Sequence, residues 1–252
     1  MIRKATPNHL EELKAFSPAR IGIGSTGTSI PSGAALDFAW AHAAAKDALT
    51  SGIDFVQLAA KMEAFFYSTV PVKSKAKDRD DYLLRPDLGR VLCQESLNEL
   101  QQWNAEKPYD LVFVLADGLS ANAIQLHAQP FFTALFPLIA PAQYKIAPGC
   151  LASEARVALG DGIAQAINAK LVVVLIGERP GLSAPNSMSL YLTFAPNATT
   201  TDAQRNCISN IQEQGLSYEA AAQNCAFLIE QALKRNETGI HLKNTFTPNT
   251  LL

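Results

Sequence analysis

The sequence predicts an α/β protein: an N-terminal helical region over residues 1–105, then a doubly wound, Rossmann-like domain over residues 106–252 with a mostly parallel sheet. Three observations predict it. Tyr109–Ala116 (YDLVFVLA) and Leu171–Ile176 (LVVVLI) are short, largely apolar runs. They lack the two-residue alternation of a half-exposed strand and the length of a solvent-facing helix, so they read as central strands covered on both faces. Strand and helix patterns alternate from residue 109 onward, whereas helical patterns dominate before it.

His9 to Phe16 has the spacing of a short amphipathic helix between Pro7 and Pro18. Arg20–Gly27 (RIGIGSTG) contains G-x-G-x-x-G at Gly22, Gly24 and Gly27. A dinucleotide fingerprint needs a full buried strand before the glycines and a helix starting at them. Here only Ile21 and Ile23 could be extended, and Pro31 interrupts any helix begun at the glycines, so the stretch reads as a glycine-rich loop. Ser32–Thr50 is an alanine-rich helix capped by Ser32, with Leu36, Ala39, Trp40, Ala43 and Ala44 on its apolar face. Asp54 caps a second helix to about Tyr67, and residues 73–81 (KSKAKDRDD) read as a solvated linker.

Pro86 holds Arg85 extended and Asp87 opens a helix over Leu88–Trp103. Arg85, Asp87 and Arg90 gather at that helix start, either as a plain cap or as an anion or partner contact. After Tyr109–Ala116 come a helix from Ala121 to about Leu138, a short extended piece at Tyr144–Ala147, an extended segment at Leu151–Leu159, and a short helix, Gly160–Ala169, opened by Asp161. The central strand 171–176 leads to a strand at Leu190–Phe194 and a helical turn in Thr201–Asn206. A loop or short strand at Cys207–Ile211 precedes a last helix capped by Ser217 and running to about Arg235.

Composition narrows the function. With 252 residues, 48% hydrophobic and 17% charged, the chain can build a sizeable core. A net charge of −2 argues against a nucleic-acid partner, which calls for a basic stripe. No uninterrupted apolar stretch nears the ~20 residues of a membrane span, and the polar, amphipathic start carries no secretory pattern, so an intracellular setting without a membrane is expected. Cys93, Cys150, Cys207 and Cys225 have no metal-site spacing and read as thiols. There is no G-x-S-x-G, H-E-x-x-H or G-x-x-x-x-G-K, and none of the four histidines adjoins a cysteine or serine that it could activate. There remains a set of polar strand-end loops: Asp117-Gly118, Arg156-Val157, Glu178-Arg179, and Asn206-Cys207 with Ser209-Asn210. A rim of that kind suits holding a neutral, amide-rich ligand better than driving a reaction.

Five segments carry a resemblance. LRPDLGR at 84–90 with Cys93 after it, DGLS at 117–120, ARVALGD at 155–161, AKLVVVLIGERPGLS at 169–183 and RNCISNI at 205–211 occur in one order across residues 19 to 235. By these the chain resembles the small subunit of ethanolamine ammonia-lyase. The resemblance implies a non-catalytic subunit of an adenosylcobalamin-dependent lyase that converts ethanolamine to acetaldehyde and ammonia by a radical mechanism. It implies a large-subunit partner, a TIM barrel with the substrate site, in a higher-order hetero-oligomer that holds cobalamin between the two kinds of chain. It also implies a bacterial microcompartment as the location if the host makes one, and otherwise the cytoplasm.

Carried over by motif, the cobalamin contacts are Val157 of ARVAL, Glu178 of GERPG and Cys207 of NCISN. Glu178 can accept from the cofactor's peripheral amides. Val157 offers backbone groups and apolar cover, and Cys207 is a small, soft packing residue or else an ordinary buried cysteine. No D-x-H-x-x-G motif occurs, in keeping with a family that leaves dimethylbenzimidazole on cobalt. Two departures stand out: Ser25 replaces the arginine that the family commonly has in its glycine loop, and the chain begins close to the core where some members carry a long packaging extension.

Overall fold

The computed structural model describes residues 10–17, 19–104 and 106–246. Six strands form one sheet: β1 (Thr69–Lys73), β2 (Tyr109–Ala116), β3 (Gly149–Ser153), β4 (Ala169–Gly177), β5 (Met188–Phe194) and β6 (Asn206–Ile211). Their order is β1-β3-β2-β4-β5-β6. The first four are mutually parallel, and β5 and β6 extend the sheet by antiparallel pairing. Seven α-helices accompany them among the described residues: α1 (Ser32–Thr50), α2 (Phe55–Met62), α3 (Arg79–Leu84), α4 (Gln94–Gln101), α5 (Ala121–Ile139), α6 (Leu159–Ile167) and α7 (Tyr218–Arg235).

The unbroken apolar runs are explained by cover on both faces. Along β2 and β4, successive side chains point to opposite sides. Leu111, Phe113, Leu115, Leu171, Val173 and Leu175 join a core with α5 and α7, centred on Phe131, Phe132 and Leu228. Val112, Val114, Val172 and Val174 face the other way, against Leu159, Ile163 and Ile167 of α6 and Leu100 of α4. Helix α5 has the length and apolarity of a membrane span, yet Ile124, Phe131 and Leu135 are fully buried in the first core.

Several segments depart from expectation. Helix α1 has the expected bounds, but only Ala48 is buried, and the face expected to meet the core is open, with Leu36 70% and Trp40 79% exposed. Strand β1 lies in the stretch expected to be helical; its Pro71 is tolerated because β1 is an edge strand. Residues on both sides of position 105 therefore build the sheet and its cover. The expected linker 73–81 is ordered around Arg79, whose Nε and Nη2 donate to Leu49 O (3.0 and 2.8 Å) and whose Nη1 donates to Gly118 O (2.8 Å).

The expected helix 88–103 breaks into a 3-10 turn, an extended piece and α4. The break is tertiary in origin: Lys75 N–H donates to Val91 O (2.8 Å) and Cys93 N–H to Lys73 O (3.1 Å), which draws residues 91–93 alongside the end of β1. Cys93, not Asp87, precedes α4, and its sulfur accepts from Ser96 N–H. The extended segment expected over 151–159 ends at Ser153, and ARVAL turns into α6.

At the amino end, the expected helix is a 3-10 turn over Glu11–Phe16, and Pro7, His9 and Pro18 lie outside the described residues. Gly22, Gly24 and Gly27 form no strand-to-helix turn; all three have positive φ, in a loop with a single bridge between Thr26 and Ser29.

Candidate functional site

The loops after β2 and β4 are locked together at the carboxyl edge of the sheet. Gly118 has φ +58°, and a Cβ there would overlap Gly177 O; a Cβ on Gly177 would overlap Ser120 O. That approach lets Leu119 N–H donate to Gly177 O at 3.0 Å. The loop from Glu178 to Ser187 is then held at four carbonyls. Glu178 N–H donates to Ser187 O (2.9 Å), Ser120 Oγ to Pro185 O (3.0 Å), Arg20 Nη2 to Leu182 O (3.2 Å) and His127 Nε2 to Asn186 O (2.7 Å). With its proton on Nε2, His127 accepts from Tyr218 OH at Nδ1 (2.8 Å). Burial lowers its pKa below the ordinary histidine value, so it stays neutral.

Glu178 is half-constrained. Its Oε1 accepts from Asn210 N–H (2.9 Å) and, in a short bond, from Ser189 Oγ. Its Oε2 has no partner among the described residues and remains an available acceptor. Glu178 lines a cleft of about 220 Å³ together with Arg156, Val157, Arg179, Ser189 and Tyr191. Cys207 pairs with Tyr191 across β5 and β6, so both side chains point to the same face. Cys207 is exposed as a residue, yet partial desolvation of its sulfur, with the Glu178 charge adding to it, pushes the thiol up despite its contacts with Tyr191 and Ser189. It is therefore a thiol at neutral pH and no activated nucleophile. The Tyr191 hydroxyl is pushed up to about 12, first by burial and then by Cys207.

The three candidates thus gather around Tyr191, but not along a rim. Glu178 stands at the end of β4, Val157 in the turn before α6, and Cys207 on the face of β6. Helix α6 packs against β2 and β4; on this side of β5, Ser189 and Thr193 are buried and Tyr191 is half-buried, while Cys207 beside it on β6 is exposed. The result is a shelf on a sheet face, walled by the Arg156–Ala158 turn.

A second cleft of about 430 Å³ adjoins the first and shares Arg156, Val157 and Tyr191 with it. Arg205 lies at its base, 3% exposed, donating from Nη1 and Nη2 to the two oxygens of Asp161 (both 2.7 Å) and from Nη1 to Thr193 Oγ1 (2.9 Å). On the far wall Arg156 stacks on the Tyr82 ring, 4.2 Å from its centroid, and Arg79 stacks on the same ring at 4.9 Å. Gly89 O accepts from Arg156 N–H at 2.8 Å.

Deeper in, Asp117 accepts from the N–H groups of Gly118, Glu154 and Ala155 (2.8–3.0 Å). These bonds turn the chain out of β3 at Glu154, where φ is +51°. Burial pushes Asp117 up to about 6, and the Ala155 and Glu154 bonds hold it from rising further.

Sequence reasoning singled out Val157, Glu178 and Cys207 but missed Ser189, Tyr191 and the Asp161–Arg205 pair. Ser189 and Tyr191 carried a signal: with Thr193 they alternate with apolar residues along the strand and so share one face. Asp161 and Arg205 are 44 residues apart, and nothing local links them. Among the described residues no cluster of three or more histidine, cysteine or acidic groups could hold a metal ion. The Glu178 carboxylate, the Ser189 and Tyr191 hydroxyls and the Val157 side chain line one cleft, with the Cys207 thiol on the same face as Tyr191.

Comparison with known proteins gives a consistent result. The family model for the ethanolamine ammonia-lyase light chain (EutC) matches residues 7–243. The ethanolamine ammonia-lyase small subunit of Pseudomonas syringae pv. tomato is 45% identical over 249 residues, covering 98% of this chain and 87% of that protein. The protein of the same name from Bradyrhizobium diazoefficiens is 47% identical over 235 residues, covering 92% and 89%. The one from Pseudomonas fluorescens Pf0-1 is 45% identical over 242 residues, covering 95% and 88%.

Proposed function

The chain belongs to the ethanolamine ammonia-lyase light-chain family, and from that premise we propose that it holds adenosylcobalamin jointly with the large subunit of the lyase. One observation carries the reading: Glu178 has one carboxylate oxygen fixed by Ser189 and Asn210 and the other open, beside Val157 and on a shelf with Cys207. The corrin periphery bears primary amides, whose N–H groups suit such a pre-set acceptor. Neither cleft, at about 220 and 430 Å³, would enclose a corrinoid, so the remaining contacts fall to a partner.

When bound, the cofactor would supply the radical chemistry that turns ethanolamine into acetaldehyde and ammonia. This chain's residues bind and orient: Glu178 fixes an amide edge, Val157 gives apolar cover, and Cys207 packs as an unionised thiol. The substrate site lies in the large subunit, a TIM barrel, within a higher-order hetero-oligomer. The shelf rests on the Rossmann-like portion, 106–252, with Tyr82 from the 1–105 portion lining the cleft beside it, and α1 of the 1–105 portion serves the partner. The open face of α1, with Leu36 and Trp40, docks on that large subunit. Arg20 supports this continuity, since it stacks over Phe38 of α1 at 5.8 Å and holds Leu182 O in the loop beside the shelf. The complex resides in a bacterial microcompartment where the host builds one, and otherwise in the cytoplasm.

The test is reconstitution with a cognate large subunit, adenosylcobalamin and ethanolamine, followed by acetaldehyde release. Glu178→Ala is expected to weaken cofactor retention about tenfold, as loss of a hydrogen bond to a charged group does. Full activity from the large subunit alone would overturn the proposal.

A further inference from the structure

The larger cleft has a composition that the amide-binding shelf does not need. Arg90 and Arg156 both line it, and neither has a carboxylate partner among the described residues. Arg205 is different, because Asp161 and Asp202 already neutralise it. Arg179 lines the smaller cleft, together with Glu178. Arg156 is also fixed in place. Its guanidinium stacks on Tyr82, its Nη2 donates to Tyr82 O (3.3 Å), and its backbone N–H is held by Gly89, next to Arg90. Its Nε is buried and has no hydrogen-bond partner among the described residues. Gly89 itself packs tightly, and a Cβ there would press on both Tyr82 and Arg156. The turn that carries Arg90 is thereby tied to the turn that carries Arg156 and Val157.

Cobalamin carries one fixed negative charge on its periphery, the phosphodiester of its nucleotide loop, which is joined to the corrin through an amide. The cleft that holds Glu178 meets, at Arg156, Val157 and Tyr191, the cleft that holds Arg90, where the one carboxylate, Asp202, is paired with Arg205, and this matches that order of groups. Resting on the cofactor-holding reading above, we propose that Arg90 and Arg156 form the phosphate subsite of this subunit. Two guanidinium groups converging on a monoanionic phosphate make charge-assisted bonds that stay oriented because one of the pair is pre-stacked.

The test uses the assembled complex with its large subunit and reads binding by corrin absorbance after equilibrium dialysis. Three probes differ only in the tail: cyanocobalamin, cobinamide phosphate and cobinamide, which lacks the phosphate. Arg156→Gln and Arg90→Gln should each weaken cyanocobalamin and cobinamide phosphate about tenfold and leave cobinamide within twofold. The gap should narrow as salt rises, since Arg90 is exposed. Arg90→Gln keeps the test decisive if loss of the Tyr82 stack unfolds the Arg156 variant. Equal losses for all three probes, or none, would overturn the subsite. If Glu178→Ala also leaves every probe unchanged, the cofactor-holding reading fails with it; if Glu178→Ala weakens all three, only the subsite fails.

Discussion

Asp161→Asn is the substitution that most directly tests how the shelf is built. The Arg205 and Asp161 side chains are only 3% and 10% exposed, and each Asp161 oxygen accepts an Arg205 N–H at 2.7 Å. The pair ties α6, which follows the turn that carries Val157, to the residue that precedes Asn206 and Cys207. The asparagine keeps the shape but removes the charge and turns an NH2 toward the guanidinium. Breaking one side of a buried pair leaves an uncompensated charge and costs about 3–5 kcal/mol. At roughly 2–4 °C per kcal/mol for a chain of this size, the melting temperature should fall by roughly 10 °C. Asp202→Asn is the internal control. Asp202 also binds Arg205, at 3.2 Å, but is 91% exposed, so its loss should cost less than about 1 kcal/mol. Calorimetry and urea unfolding on the chain, and again on the assembled complex, give both values. A fall below about 1 kcal/mol for Asp161→Asn, or equal falls for the two variants, would refute the claim that this pair fastens α6 to β6. The double change Asp161→Leu with Arg205→Met should recover much of the loss, because neither charge is then left buried alone.

Two further outcomes are expected from features away from that pair. Asp117 is raised from 3.8 to about 6, so the folded chain binds its proton more tightly than the unfolded chain does. Its contribution to stability is therefore greatest below about pH 4 and declines as pH rises through about 6, and urea midpoints across that window should show this component disappear in Asp117→Asn. Trp40→Asp on the open face of α1 should leave the circular dichroism of the isolated chain unchanged and reduce co-purification with the large subunit; unchanged co-purification would detach α1 from the partner surface.

The central strands were legible because burial on two faces leaves an unmistakable apolar run, and α7 because Ser217 caps it: its Oγ accepts from Ala220 N–H at 3.2 Å. The features that stayed hidden were set by distant contacts. The run KSKAKDRDD reads as solvated, yet Arg79 within it reaches the carbonyls of both Leu49 and Gly118. Asp87 looks like a helix cap, but it forms an exposed ion pair with Arg85 at 2.7 Å, and the backbone of 91–93 is drawn to β1 instead. The ARVAL stretch has strand propensity, and the bonds from Glu154 and Ala155 N–H to the buried Asp117 overrule it. Among the candidate site residues, Glu178 was placed by its position after a strand, whereas the neighbourhood of Cys207 depended on the register between β5 and β6.

Strands β5 and β6 carry Tyr191 and the exposed Cys207 side by side on one face, and that ground is held by a ladder of backbone bonds. A floor of this sort has no hinge. If a cofactor rests on it against a second polypeptide, as proposed, its residence time would follow the parting of the two chains and not the flicker of a loop.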